Sequence, residues 1–524
     1  MGVKTSTDRS SGGWSRRDFL GAGATGLAVV ALPNALRGTS LSALEATAGG
    51  ELGVASYFQR FSVDEAMLRR IMGEALSRGG DYCDLYFQQS ARNTIVLEDK
   101  AVNQAYTRVD LGVGIRVIKG DQVGFSFTED LSSKSILQAA RTAAAIASGP
   151  ASKVPGRLAL QAHPDFYVTR TSLEAVKADR KVPLLQQVNE GIFAGDKRII
   201  KASVFYGDES SYVLIATSDG KLAFDHRPMC TLGASCVAEQ NGQREESYYA
   251  LSHRDGVDFL TQGSLDRIAR EVVDRAVKGF EAVKPEGGEM EVVLAPGGAG
   301  ILLHEAIGHG LEADFNRKKT SIFADKMGKP IAEKFVTIVD DATMSHSRGA
   351  LNIDDEANAT QKTVLVENGK LVSYMHDRIS AAHYKVAPTG NGRRQSFRFA
   401  PIPRMRNTYM LNGPHGRDEI IRSVKKGIYA EDFTNGEVQI GAGDFTFYVK
   451  SGFLIENGKL TRPIKDVNII GNGPDVLRKV VMVANDLEIS ESTWTCGKNG
   501  QGVPATQGLP TVKVSSITVG GVRS

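Results

Sequence analysis

The stretch MEVVLAPGGAGILLHEAIGHGLEADF, Met290 to Phe315, decides how the second half of the chain is read. "MEVVLAP" is an apolar, β-branched run closed by proline, the pattern of a strand. The glycines of "GGAG" punctuate it, and "ILLHEAIGHGLEADF" then opens a helix. That helix carries His304, Glu305 and His309. The order is the one used by zinc peptidases, H-E-x-x-H, with one residue too many. On an ideal α-helix, positions five apart lie about 140° apart, so the two imidazoles could not reach one ion. A π-bulge, closed by an i→i+5 hydrogen bond, brings such positions close to one line. Gly308 precedes His309, where a backbone distortion is cheap. Two histidines and a glutamate within six residues are also costly to bury unless they are paired or bind metal. The spacing therefore predicts a metal site on a helix that is bulged or ends there.

Zinc hydrolysis uses three protein ligands, one open position, and a carboxylate outside the ligand set to take a proton. Glu305 can point off the ligand face and fill that last role. The third ligand comes from elsewhere. Glu312, one turn past His309, is the local candidate, and Cys496 in "STWTCGKNGQGVP" is the distant one. By itself Cys496 reads as a small buried residue, and spacing does not choose between the two.

Three segments carry a family resemblance: "HEAIGHGLEADFNRKKTSIFADKMGKPI" (His304 to Ile331), "PIPRMRNTYM" (Pro401 to Met410) and "TCGKNGQGVP" (Thr495 to Pro504). Together they resemble the TldD/PmbA family, and the likeness runs from about Phe61 onward. It implies a zinc metallopeptidase acting on unfolded peptides or small proteins. It also implies the metal-bearing, TldD-type subunit, paired with a TldE/PmbA-type subunit or with a second copy. Carried onto this sequence, His304, His309 and Cys496 are the zinc ligands and Glu305 is the general base. Glu312 then stands behind the ligands. Arg404, in the Pro-Arg-Met segment, could hold a substrate carbonyl or carboxylate, or make an ordinary ion pair. A non-catalytic partner subunit is the competing reading; loss of His304, Glu305 or Cys496 would have favoured it.

The rest of the chain reads as α+β. A helix from Ser62, with Ser62 as N-cap and Glu65 completing a capping box, ends at Gly79 and Gly80. Short alternating strands follow at Cys83 to Gln89, Asn93 to Asp99, Gly112 to Gly120 and Gln122 to Glu129, then a helix from Leu131 to Ser148. The central segment holds helices near Val182 to Ala194 and Ser264 to Gly279 around long strands with Asp-Gly and Asn-Gly hairpin turns. Beyond the metal-site helix the chain is β-rich. The domains expected are 61–150, helix-flanked β-sheet; 151–285, strand-rich; and 286–524, the β-rich metallopeptidase domain.

Ahead of them, "SRRDFLGAGATGLAVVALP" sets Arg16 and Arg17 before an apolar run too short to span a bilayer. Paired arginines in that place resemble a twin-arginine export signal, so residues 1–48 read as signal and linker and the destination as the periplasm or cell exterior. No later run has the roughly 18 apolar residues of a membrane helix. The 63 basic and 60 acidic residues give a net charge of +3, which argues against a nucleic-acid partner. Cys230 and Cys236 could pair in an oxidising compartment. His376 and His383 read as ordinary histidines sharing a helix face. Asp340, Asp341, Asp354, Asp355 and Glu356 read as turn and solvated carboxylates.

Overall fold

The computed structural model describes residues 53–521; the expected export signal lies outside them. Two helices come first, α1 (Val54–Phe61) and α2 (Glu65–Ala75). Ser62 is not the cap of α2. It closes α1 in the left-handed region at φ 53, and Asp64 caps α2, its carboxylate accepting the Met67 N–H at 2.7 Å. An ionised oxygen is the stronger acceptor for those free helix donors.

The chain continues through β1 (Tyr82–Glu98), β2 (Ala101–Lys119), β3 (Gln122–Thr128), α3 (Ser133–Ala144) and β4 (Ala159–Leu160). It then runs through α4 (Ala178–Gly195), β5 (Ile199–Thr217), β6 (Lys221–Gln240), β7 (Gln243–His253) and α5 (Gln262–Gly279). All seven strands form one sheet in the order β3-β2-β1-β5-β6-β4, with β7 also on β6. β1 joins two strands that the sequence separated. Its polar middle, Ser90 to Arg92, is held by partners on both sides, Ser90 opposite Asp110 of β2 and opposite Ser211 of β5. With the backbone satisfied by both neighbours, polar side chains there do not break the ladder.

On one face of these long strands, Cys83, Leu85 and Phe87 of β1 share a core with α2 and α3. Ile95 and Leu97, of the same parity and so on the same face, share a second core with α4 and α5. The N-terminal and central segments are therefore two groups of helices on one sheet, with α1 joining the first through Tyr57 and Phe61. The other face of the sheet, through Tyr86, Val213 and Ile215, packs on Ile353, Ala357 and Phe397 from beyond the helix that bears His304 and His309. Gly112 is where that contact is closest: a Cβ there would lie 2.2 Å from the Phe397 ring. Full burial of such a ring contributes roughly 2–3 kcal/mol.

The C-terminal part starts with β8 (Gly288–Leu294), followed later by β9 (Ile338–Asp341) and β10 (Lys362–Glu367). β8 pairs with Lys426–Gln439 and with Val512–Gly520; Val467–Asn472 and Asp444–Glu456 complete the circuit back to Lys426–Gln439. These five strands close on themselves. A six-stranded sheet in the order Lys370–Leu371, β10, β9, Asn407–Met410, Thr506–Leu509, Glu488–Ile489 lies alongside. One apolar core fills the space between, and Leu302, Leu303 and Ile307 of the helix that bears His304 and His309 belong to it.

The acidic residues expected in solvent are buried. Asp340, Asp354 and Glu356 are each 0% exposed. Their counter-charges come from distant segments: Arg406 for Asp340 at 2.7 Å, Arg227 for Asp355 at 2.6 Å, and Arg116 for both Glu356 at 2.8 Å and Asp84 at 2.6 Å. Arg394 also meets Asp84, at 2.9 Å. Burial pushes Glu356 up to about 7 and Asp354 up to about 6. Cys230 and Cys236 cannot pair, because they are six residues apart on one extended strand, β6. That is roughly 20 Å, where a disulfide needs α-carbons within about 7 Å. Among the described residues no helix is long and apolar enough to cross a membrane.

Candidate metal centre

After β8 the chain turns at Gly297, φ 75, and enters a helical run of three kinds: α over Ile301–Leu303, π over His304–Gly308, and 3-10 over His309–Leu311. The His309 N–H donates to the His304 carbonyl, five residues back. This is the widened turn the spacing requires, and it brings the two imidazoles to a centroid separation of 5.2 Å with ring planes at 89°. Gly308 serves a different purpose from the one its sequence position suggests. Its φ of −57 is ordinary helix. It is glycine because Met405 lies against it: a Cβ would sit 2.1 Å from the Met405 sulfur.

Cys496 arrives on a hairpin of Thr495–Lys498 with Gln501–Pro504, turned by Asn499 and Gly500, both at positive φ. Its Sγ lies 3.5 Å from His309 Nε2. One ligating atom from each of His304, His309 and Cys496 falls within 4.8 Å of the others, and all three residues are buried. Among the described residues neither ring nitrogen of His304 has a partner. Glu312 stands behind this group. It meets His309 Nδ1 at 2.9 Å, which fixes the ring and directs Nε2 toward Cys496. Glu305 is the most open acid here, its side chain 12% exposed and 3.7 Å from His309 Nε2.

Lys498 escaped sequence reasoning. Its ammonium is buried 3.1 Å from Glu312 and 2.7 Å from Asp314. The signal was its place two residues after Cys496, on the same face of a strand. Arg404 is wholly enclosed and donates to the carbonyls of Cys496 and of Gln501, the latter at 3.2 Å. It holds the hairpin itself. Arg393 does the same for Met405 and Pro504.

The charges reinforce one another. Burial alone would raise the Cys496 thiol, yet the imidazoles of His309 and His304 bring it well below the usual value. Burial disfavours His309 as a cation, but Glu312 and Cys496 outweigh it and hold the ring well above its ordinary value. Burial would also raise Glu312, and Lys498 and His309 bring it down to about 2. Burial raises Glu305, partly offset by the two histidines. The other histidine pair forms no such group. His376 precedes the helix Arg378–Tyr384 that holds His383, packs against Tyr374 and Tyr384, and is pushed by burial down to about 4.

Three family domains match in order along the chain: the PmbA/TldA metallopeptidase domain 1 over residues 83–147, its central domain over 171–280, and its C-terminal domain over 287–521. The chain belongs to the TldD/PmbA metallopeptidase family. A TldD/PmbA relative from Haemophilus influenzae, named Metalloprotease TldD homolog, is 40% identical over 453 residues, covering 85% of this chain and 94% of its own. Another, from Saccharolobus solfataricus and named Zinc metalloprotease TldD homolog, is 28% identical, covering 84% and 97%. Among solved structures, TldE from Thermococcus kodakarensis shares the fold at a TM-score of 0.70 and 19% identity, over 87% of this chain and 99% of that one. A Bacteroides thetaiotaomicron protein described as a modulator of DNA gyrase does so at 0.70 and 22%, over 87% and 99%.

Proposed function

We propose that this TldD/PmbA member is a zinc-dependent peptide hydrolase in which His304, His309 and Cys496 hold the ion and Glu305 is the general base. Its substrates are unfolded peptides or small proteins. The observation that carries the reading is the buried meeting of three ligand atoms within 4.8 Å, with both nitrogens of His304 otherwise orphaned. A buried imidazole without partners is costly, and a thiolate with two imidazoles is a donor set suited to zinc. Zinc bound there supplies Lewis acidity, polarising a carbonyl and easing deprotonation of a water. The protein's residues do the rest. Glu312 keeps the proton of His309 on Nδ1, so Nε2 offers its lone pair. Lys498 and Arg404 hold the Cys496 hairpin in register with the helix. Glu305, a carboxylate beside the ligands and open to solvent on one side, accepts the water's proton and returns it to the leaving amine.

Metal analysis of purified protein tests this directly, with about one zinc per chain expected. Alkylation gives a second measure. Cys496 is expected to resist iodoacetamide in the zinc-loaded protein and to react once a chelator removes the ion, while Cys83, Cys230 and Cys236 show no such change. Equal labelling of Cys496 in both states would remove it from the ligand set.

We further propose export by the twin-arginine route, resting on Arg16 and Arg17 before the apolar run Leu20 to Leu32. A Lys-Lys version is expected to stay in the cytoplasm in a fractionation experiment; undiminished export would indicate an ordinary secretory signal. A TldE-type subunit, or a second copy of this chain, is the proposed partner, supported by the shared fold with TldE.

A further inference from the structure

A cleft of about 850 Å³ opens between α5, β7 and the barrel strand Lys426–Gln439, and it reaches Ile301 at the start of the metal-site helix and Thr495 beside Cys496. At that end of the cleft two polar groups have no partner among the described residues. The indole nitrogen of Trp494 is buried with its donor unpaired, and the Oε1 of Gln507 is buried with its acceptor unpaired. Gln507 is only 3% exposed. Both residues line the cleft. They flank one short stretch: the Ala505 N–H donates to the Trp494 carbonyl at 3.3 Å, and the Ser490 N–H to the Gln507 carbonyl at 2.9 Å. Gln507 shares its strand face with Leu509, which packs beneath the metal-site helix against Leu302 and Leu303.

Buried polar groups in folded proteins are nearly always paired, because an orphan forfeits its hydration without return. One unpaired donor and one unpaired acceptor in the same cleft match what a peptide unit presents, a carbonyl oxygen and an N–H. We infer that Trp494 and Gln507 clamp a backbone amide of the substrate next to the scissile bond, the indole N–H donating to a substrate carbonyl and the glutamine oxygen accepting a substrate N–H. This rests on the peptidase reading and adds a subsite to it. The chemistry recognises main chain, so it admits any side chain at that position. It excludes a residue whose nitrogen carries no hydrogen: proline, an N-methyl residue, or an ester.

The probe is a series of short unstructured fluorescein-labelled peptides in which successive backbone amides are replaced by esters, removing one N–H at a time. With the parent enzyme, one ester position is expected to raise KM by about tenfold with little change in kcat. With Gln507→Met the amide peptide is expected to show the same raised KM, and the ester at that position to cost nothing more. Trp494→Phe is expected to raise KM by a similar factor while keeping the zinc content. Gln507→Met is also expected to melt at the parent's temperature or above, because the change removes an unsatisfied buried oxygen. The inference is overturned if every ester behaves alike, if the ester effect persists undiminished in Gln507→Met, or if that variant keeps the parent KM and melts lower, the mark of a purely structural glutamine. Should the parent hydrolyse none of these peptides, the peptidase reading fails, while the same ester series, read as anisotropy on Glu305→Gln, still decides whether the clamp exists.

Discussion

Glu305→Gln is expected to bind zinc as the parent does and to lose peptide hydrolysis by a factor of roughly a hundred to ten thousand in kcat. The two side chains have the same shape, and Glu305 is not among the three residues whose ligating atoms converge, so the ion's surroundings stay as they were. What disappears is, among the described residues, the partly open carboxylate beside His304 and His309, the one assigned to take the proton. Glu312 cannot replace it. It is wholly buried, committed to His309 at 2.9 Å and to Lys498 at 3.1 Å, and held down to about 2. A carboxylate so stabilised as an anion is a weak base. Single-turnover assays with a labelled peptide, run beside metal analysis, check the result. Activity within a few-fold of the parent at equal zinc would sink the base assignment. Loss of zinc together with activity would mean that Glu305 supports the ligand set instead.

Arg406→Met is expected to destabilise the C-terminal domain by about 3–5 kcal/mol and to weaken zinc binding at the same time. Arg406 and Asp340 are both 0% exposed. The Arg406 guanidinium meets Asp340 at 2.7 Å, and the same carboxylate accepts from the Arg406 backbone N–H at 2.8 Å, Thr408 at 2.9 Å and Asn391 at 2.8 Å. Removing the cation leaves a buried anion with dipoles alone for company. The effect reaches the metal because Arg404 and Met405 are the preceding residues: one holds the Cys496 carbonyl, the other lies against Gly308. Urea unfolding followed by competition with a chelator measures both effects. An unchanged midpoint would show that the Arg406–Asp340 pair contributes no more than the dipoles around it.

The ligand-bearing helix was legible because its information is local. Strand, glycine turn and apolar helix follow one another within Met290 to Phe315, and a five-residue spacing of histidines admits few helical geometries that make chemical sense. The spacing called for a helix that is bulged or ends there, and the structure takes the first form, a π turn over His304–Gly308. Turn chemistry was legible for the same reason: Asn241-Gly242, the Asn-Gly turn of the central segment, adopts the positive φ of a tight hairpin at both residues. Strand limits fared less well. Ser90 to Arg92 looks like a break in any reading of β1 alone, and it is a strand only because β2 and β5 satisfy its backbone from both sides.

Residue types and spacing by themselves determined the α+β class, the two histidines and the carboxylate between them, and the need for a third ligand; spacing left Glu312 and Cys496 both open, and only the family resemblance pointed to Cys496. Tertiary structure alone decided where the acids go. Nothing near Asp340 or Glu356 in the chain announces burial, because their cations, Arg406 and Arg116, are supplied by segments far along the sequence. The same holds for Lys498 and Arg404: each acts through a neighbour that only folding provides. A side chain's own chemistry is written in the sequence, whereas its desolvation and its partner depend on which distant backbone comes to lie beside it.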